Sequence, residues 1–378
     1  MTEKPWMLYG ASGYTGTMIA ERAVALGHRP ILGGRSPVAL EALATRLGVP
    51  YRVIDLGDRD ATAAGLRDVS LVCNAAGPFE NTSGPLMQAA LKERCHYVDI
   101  ANEIPVFQMA QAADAAAQAA GIALIPGVGF GVTVSNCLTR FVSSLMPDAV
   151  NLDCASVAYV AHRGAGVLKT AIGLIIQGGV VRRLGQLTSW PLGTGAIQIA
   201  FPDGDRTLTP IPTGDLEAAY WMTGIPNVTI YSADLPVTPV ARIGFAIARQ
   251  GLKRPGIRRF VERRIERKTQ NVTLLPETTN QHSYGWARAS NAAGETVEAW
   301  LQLGEGYAAT AALAVRAVER LVASDLKGAF TPAAAFGADF ILEIGEVERW
   351  ITQPESADDP HSHVRLTFRS QMPVGRDG

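Results

Sequence analysis

An α/β fold, a doubly wound parallel sheet followed by a second mixed α+β domain, is what three observations in the sequence predict. Six short apolar runs alternate with helical periodicity over residues 6–125. A turn with glycines at 10, 13 and 16 follows the first of these runs at once. The chain of 378 residues is longer than one typical domain, and a glycine-rich exit at 126–131 marks where the first domain ends.

Residues 6–9 read as the first strand and 15–26 as a helix ended by Gly27. Between them Gly10 turns the chain, Gly13 lets backbone approach a pyrophosphate, and Gly16 lets the helix pack closely on the sheet. The amides of the first helical turn then face the phosphates of a dinucleotide. This is the entry of a Rossmann domain. A second strand at 30–32 leads into Gly33-Gly34-Arg35-Ser36. Folds that bind NAD place an acid about 20 residues past the glycine turn, on the ribose 2′-hydroxyl. Arg35 stands there with a serine beside it and no acid, a pair suited to a 2′-phosphate. The cofactor expected is therefore NADP(H).

Helix 38–47, strand 51–54 and helix 61–66 continue the alternation, with Asp55 ending the third strand where an adenine would lie. The fourth strand, 69–73, is small and apolar as a doubly covered strand should be. It runs into Asn74-Ala75-Ala76-Gly77-Pro78, whose small residues admit a ribose or nicotinamide while Asn74 offers a donor and an acceptor. Ser83 is read as the cap of a helix reaching Arg94, with Pro85 in its first turn. The fifth strand, 96–100, carries Asp99 and is followed by Glu103, two acids near a carboxyl edge where ligands bind. One alanine-rich helix over 105–120 and a sixth strand at 122–125 complete the domain.

The second domain is read as helix 132–144, strand 151–159, an apolar helix 167–181, a hairpin of 196–201 with 206–209, helix 215–222, strand 228–231, and a second hairpin of 284–289 with 296–303. Helices are expected at 307–322 and 331–342, and a polar tail at 352–378. His162, after the first strand of this domain, and Tyr14, beside the phosphate turn, are the candidate proton donors; Asp99 and Glu103 are the candidate catalytic acids.

Composition narrows the function. Formal net charge is −1, which gives no global case for a nucleic-acid partner. The four cysteines have no paired spacing, and His361 and His363 lack a third ligand, so no metal site is expected. The glycine turn begins by residue 10, which leaves no room for a signal peptide, and no apolar stretch is long enough to span a membrane. A cytoplasmic protein is expected. Residues 249–268 hold nine Lys or Arg against two Glu, and peripheral contact with an anionic membrane is the functional reading of that run, a solvated face the plain one. The Tyr-x-x-x-Lys pair of short-chain dehydrogenases is missing, because Tyr159 and Tyr284 have Arg163 and Arg288 at that offset.

The segments YGASGYTG at 9–16, GGR at 33–35, CNAAGPF at 73–79, YVDIANE at 97–103, PGVGFG at 126–131, FPDGD at 201–205, GYAATAA at 306–312 and TPAAAFG at 331–337 together resemble the saccharopine dehydrogenase-like oxidoreductases. The resemblance is to the branch that includes trans-acting enoyl reductases of mycobacterial lipid synthesis. It implies an NADP-binding Rossmann domain at 1–130 completed by helices from 305–345, and a mixed domain at 131–304 that carries substrate and a homodimer contact. It implies that Gly10, Ser12, Gly13, Tyr14, Thr15 and Gly16 line the pyrophosphate, Arg35 and Ser36 meet the 2′-phosphate, and Asn74, Ala75, Gly77 and Pro78 lie towards the nicotinamide. Asn136 departs from the family, which commonly has an aspartate there. The activity expected is NADPH-dependent reduction of a C=C or C=N bond in a hydrophobic or lipid-like acceptor. The alternatives are a saccharopine-type amino-acid imine reductase and a non-catalytic NADPH-binding sensor or scaffold.

Overall fold

The apolar runs of the first 125 residues become strands too short and too buried to stand alone, each returned to the sheet by a helix. In the computed structural model the described residues are 4–160, 178–233, 238–252, 282–356 and 359–369, with isolated positions at 175–176, 254, 256–257, 260–261 and 264. They divide into two compact units, one of residues 4–137 with 306–346 and one of 138–305 with 347–369.

In the first unit, β1 (Trp6–Tyr9), β2 (Ile31–Gly34), β3 (Tyr51–Val53), β4 (Leu71–Asn74), β5 (His96–Asp99) and β6 (Ala123–Ile125) form a parallel sheet in the order β6-β5-β4-β1-β2-β3. The order reverses between β1 and β4, where Tyr9 lies beside Asn74, and the carboxyl ends at such a reversal are where open α/β sheets take ligands. Helices α1 (Tyr14–Ala25), α2 (Pro37–Leu47), α3 (Arg59–Leu66), α4 (Phe79–Glu93), α5 (Ile104–Ala112), α6 (Asp114–Ala120) and α7 (Phe130–Leu145) connect the strands and lead out of the sheet. Two helices differ from the sequence reading. α4 begins at Phe79 after a cis Gly77–Pro78 peptide, so Pro85 lies inside it and Ser83 is no cap. The Ser83 hydroxyl is instead buried and donates to Asp99 at 3.2 Å. The expected helix over 105–120 is two, broken at Ala113.

The second unit contains β7 (Asn151–Val157), β8 (Gly179–Arg183), β9 (Gln186–Trp190), β10 (Ile197–Phe201), β11 (Gly204–Pro210), β12 (Asn227–Ser232), β13 (Ser283–Ser290) and β14 (Thr296–Leu303), with α8 (Asp215–Thr223) and α9 (Pro239–Leu252). Its sheet is mixed: β12 runs parallel to β7, while β13 and β14 are antiparallel neighbours. Trp286, Trp300, Trp350, Tyr231, Tyr284 and Phe201 form an aromatic core. The apolar helix expected at 167–181 is not borne out at its end, because residues 179–183 are β8. Its two-residue turn to β9 has Leu184 at φ 49° and Gly185 at φ 78°, the left-handed pair a tight hairpin needs. Of the rest of that stretch only 175–176, which are helical, and 178 are described, and half of the basic run at 249–268 lies outside the described residues.

The chain then returns. α10 (Gly306–Val322) packs on α1, and β15 (Gly328–Ala329) adds a seventh parallel strand beside β6. α11 (Pro332–Phe336) and a 3-10 helix at Phe340–Ile344 stand where one helix was expected, separated by Gly337. Within the stretch expected as a polar tail, β16 (Glu348–Ser356) pairs with β14, and β17 (Asp359–Arg369) with β16. Among the described residues no helix is long and apolar enough to cross a membrane.

Candidate functional site

The turn after β1 is fixed by its own backbone. Gly10 and Ala11 donate to the Gly33 carbonyl at 2.8 and 3.2 Å, and Gly13 donates to Gly10 at 3.0 Å. Gly10 has φ 85°, and a Cβ there would fall 2.7 Å from the Ala76 nitrogen. A Cβ on Gly16 would stand 2.2 Å from the Gly10 carbonyl oxygen. Both positions admit glycine alone, one for the turn against the loop after β4, the other for seating α1. Gly13 caps α1 without a side-chain hydrogen bond, and no acid stands in the first turn, so the helix presents bare amides to an anion. Ser12, Gly13 and Tyr14 are exposed around this end, and Thr15 is half-buried. These residues fit a pyrophosphate.

Arg35 follows the end of β2 and is exposed; among the described residues it makes no hydrogen bond or ion pair. Ser36 accepts from Ala39 N at 3.4 Å and caps α2, so its hydroxyl is partly engaged in holding the helix. Asp55 is exposed and accepts from Gly57 N at 3.0 Å, forming the turn after β3. The Tyr9 hydroxyl donates to the Ile54 carbonyl at 3.1 Å, which ties the ends of β1 and β3 together. Burial and the nearby Asp55 raise the Tyr9 phenol pKa, against the opposing charge of Arg35.

Beyond β4 the loop is small and open: Ala75 is half-buried, and Gly77 and Pro78 are exposed. Asn74 differs from the expectation that its side chain meets the cofactor. It is fully buried, donates to Thr82 Oγ1 at 3.1 Å and to Tyr97 at 3.3 Å, and accepts from Ala76 N at 3.0 Å. Its role is to shape the loop. Asp99 is turned inward in the same way. It is fully buried and accepts from the Tyr97 hydroxyl (2.7 Å), Ser83 (3.2 Å), Ala101 N (3.0 Å) and Gly127 N (2.8 Å). Burial raises its pKa against those four bonds. With every oxygen turned inward, Asp99 locks the exits of β5 and β6.

Glu103 is placed otherwise. It is half-buried at the start of α5, accepts from Asn102 N at 2.8 Å and Phe79 N at 3.4 Å, and burial lifts its pKa above the ordinary glutamate range. Tyr14 is 53% exposed and meets Tyr307 edge to face at 4.8 Å. His162 lies outside the described residues. Arg206, in β11, is paired with Asp203 at 2.6 Å.

The resemblance implied that helices from 305–345 complete the first domain, but not that α10 reaches the phosphate turn. Tyr307 stands beside the phosphate turn, and Thr310 accepts from Phe130 N at 3.2 Å, steadying the exit of the sheet. The GYAATAA motif was visible, but local periodicity alone does not join it to a turn some 290 residues earlier. Asn136, the departure from an expected aspartate, accepts from Ala333 N at 2.8 Å, so its amide oxygen holds the start of α11 as a carboxylate would. Among the described residues no cluster of side chains could hold a metal.

Residues 6–125 match the family model described as saccharopine dehydrogenase NADP binding domain. The whole fold is similar to apo saccharopine dehydrogenase (L-Glu forming) from Saccharomyces cerevisiae, with TM-score 0.59 and 12% identity over 90% of this chain and 96% of that one. A short-chain type dehydrogenase/reductase from Mycobacterium ulcerans shares 16% identity over 33% of this chain and 66% of its own, at TM-score 0.29. No curated protein matches in sequence. The glycine cradle, the exposed Arg35 and the matched domain agree on NADP(H) as the cofactor, and residues 6–125 form an NAD(P)-binding oxidoreductase domain similar to that of saccharopine dehydrogenase.

Proposed function

We propose that the protein interconverts a C=N and a CH–NH bond in a small amino-acid-derived substrate, using NADP(H). NADPH supplies hydride from nicotinamide C4 when bound. Glu103 carries this reading. An imine accepts hydride far better once its nitrogen is protonated. A half-buried carboxyl with a raised pKa, near the carboxyl ends of β4 and β5, suits the donation of that proton. Backbone amides of Phe79 and Asn102 keep its two oxygens in place. Asp99 and Asn74 position the loops beside it, Arg35 holds the 2′-phosphate, and the bare end of α1 holds the pyrophosphate. The likeness to a saccharopine dehydrogenase supports a C–N bond over a C=C bond.

The test is NADPH consumption by purified protein with amine and 2-oxo acid pairs, and separately with hydrophobic enoyl thioesters. Turnover with an imine-forming pair is expected. Glu103→Gln should lower kcat by about 100-fold or more while leaving the NADPH dissociation constant unchanged. Turnover of enoyl thioesters with none of the imines would overturn the assignment.

A further inference from the structure

One face of the second sheet is composed in rows. Across β12, β7, β13 and β14, the first row is Asn227, Asn151, Ser290 and Thr296, and the second is Thr229, Asp153, Arg288 and Glu298. The third is Tyr231, Ala155, Trp286 and Trp300, all part of the aromatic core. The first two rows contain no apolar side chain, and all of them but Glu298 floor a cavity of about 570 Å³, a size that takes a small metabolite.

A polar sheet face by itself is an ordinary solvated surface. Arg183 makes this one a site. The tight turn of the β8–β9 hairpin is latched to the start of β12, with Leu184 N donating to Asn227 Oδ1 at 3.0 Å and Gly185 N to the Pro226 carbonyl at 2.8 Å. The latch holds Arg183, the last residue of β8, half-buried at the cavity wall. Its Nη1 donates to the carbonyls of Arg182 (2.8 Å) and Val228 (3.3 Å), and its Nη2 to Thr229 Oγ1 at 3.0 Å. All three acceptors are neutral. A guanidinium has five N–H donors, so two remain, the number a carboxylate takes in a bidentate bond. Among the described residues no carboxylate pairs with Arg183. The neighbouring cation, Arg288, is already neutralised by Asp153 at 2.9 Å and Glu298 at 3.7 Å. The two guanidiniums and two carboxylates balance in charge, but both acids are engaged with Arg288, so the cavity holds one guanidinium with two open donors above a hydrogen-bonding floor.

We propose that this cavity binds a small organic carboxylate, its head on the remaining N–H donors of Arg183 and its polar body over the Asn151–Asp153 rows. The site is built wholly from residues 150–296 and shares none with the dinucleotide cradle, so it does not rest on the reaction proposed above. Full-length protein without nucleotide would be titrated calorimetrically with lactate, glutarate and L-glutamate, and in parallel with inorganic phosphate. At least one carboxylate should bind saturably and more tightly than phosphate. Arg183→Met should weaken it about tenfold or more, and Arg183→Lys should also weaken it, because the ammonium keeps the charge and loses the fork. NADPH binding should be unchanged in both. In the wild type alone, the bound carboxylate should slow amide exchange across 227–231 and 288–296, a readout that needs no variant to fold. Absence of saturable binding and of protection by every carboxylate overturns the proposal. So does phosphate binding as tightly, or a carboxylate affinity that Arg183→Met leaves intact.

Discussion

Arg35 holds a free guanidinium at the one place where a 2′-phosphate distinguishes the two nicotinamide cofactors. A charge-assisted hydrogen bond is worth about 1.5–3 kcal/mol, so Arg35→Ala should weaken NADPH about 10- to 100-fold and leave NADH unchanged in a fluorescence titration. Gly10→Ala should abolish dinucleotide binding or destabilise the fold, since the new methyl would meet Ala76 backbone at a left-handed φ. His96 makes a pH prediction. Its Nδ1 accepts from Ala123 N at 3.0 Å, which requires the neutral ring, and burial lowers its pKa. The unfolded chain therefore binds the proton more readily. Native stability should be full above the ordinary histidine value of about 6.5 and fall as pH drops towards the lower folded value. Melting temperature should be lower at pH 5 than at pH 7.5, and His96→Gln, whose oxygen accepts the same bond without titrating, should flatten that step. At this scale the sequence was informative wherever a residue acts through backbone geometry or a formal charge. It was silent on which way a side chain turns: Asn74 and Asp99 lie at ligand-bearing strand ends, yet the Tyr97 and Ser83 hydroxyls draw the Asp99 carboxylate inward.

Among the elements, α10 does most to finish the first unit. Leu313 and Leu321 are fully buried, and alanines at 309, 312, 314 and 317 of the same helix are buried with them. Leu313→Ala or Leu321→Ala should cost about 2–5 kcal/mol in denaturant unfolding. Glu319 fastens the same helix, taking hydrogen bonds from His28 and Arg316 at 2.9 Å each. Burial raises its pKa, but those two partners outweigh it and hold the carboxyl below its ordinary value. That contribution is present above the unfolded glutamate value and is lost as pH falls through the folded one. Elements with strong periodicity, such as α2 and the β13–β14 hairpin, were legible. The β8–β9 hairpin was not, because its turn is Leu184-Gly185, without the Asn-Gly or Asp-Gly pair that announces such turns. The broken α5–α6 pair was hidden by an alanine-rich stretch whose propensity is uniform across the break.

For the whole molecule, the parallel sheet and the mixed second domain could be read from the alternation of runs, since each βαβ step is local. The seventh strand could not, because Gly328–Ala329 is two residues long and owes its place to the edge that β6 offers. A chain ending at residue 305 should accumulate as insoluble material, since it leaves that edge unpaired and the buried face of α1 uncovered. Solubility and size-exclusion profiles of the truncated and full-length chains would show it.

The split of the first unit also has a consequence in time. A ribosome adds roughly 5–20 residues per second, so the stretch from Ile125 to Gly306 takes on the order of ten to forty seconds to synthesise. Throughout that interval the nascent nucleotide-binding sheet waits with one side open, while the second unit emerges behind it. The domain that begins first is among the last to be finished. Its yield in a cell should therefore depend on a holding chaperone at the tunnel exit more than that of a protein whose domains are continuous in sequence.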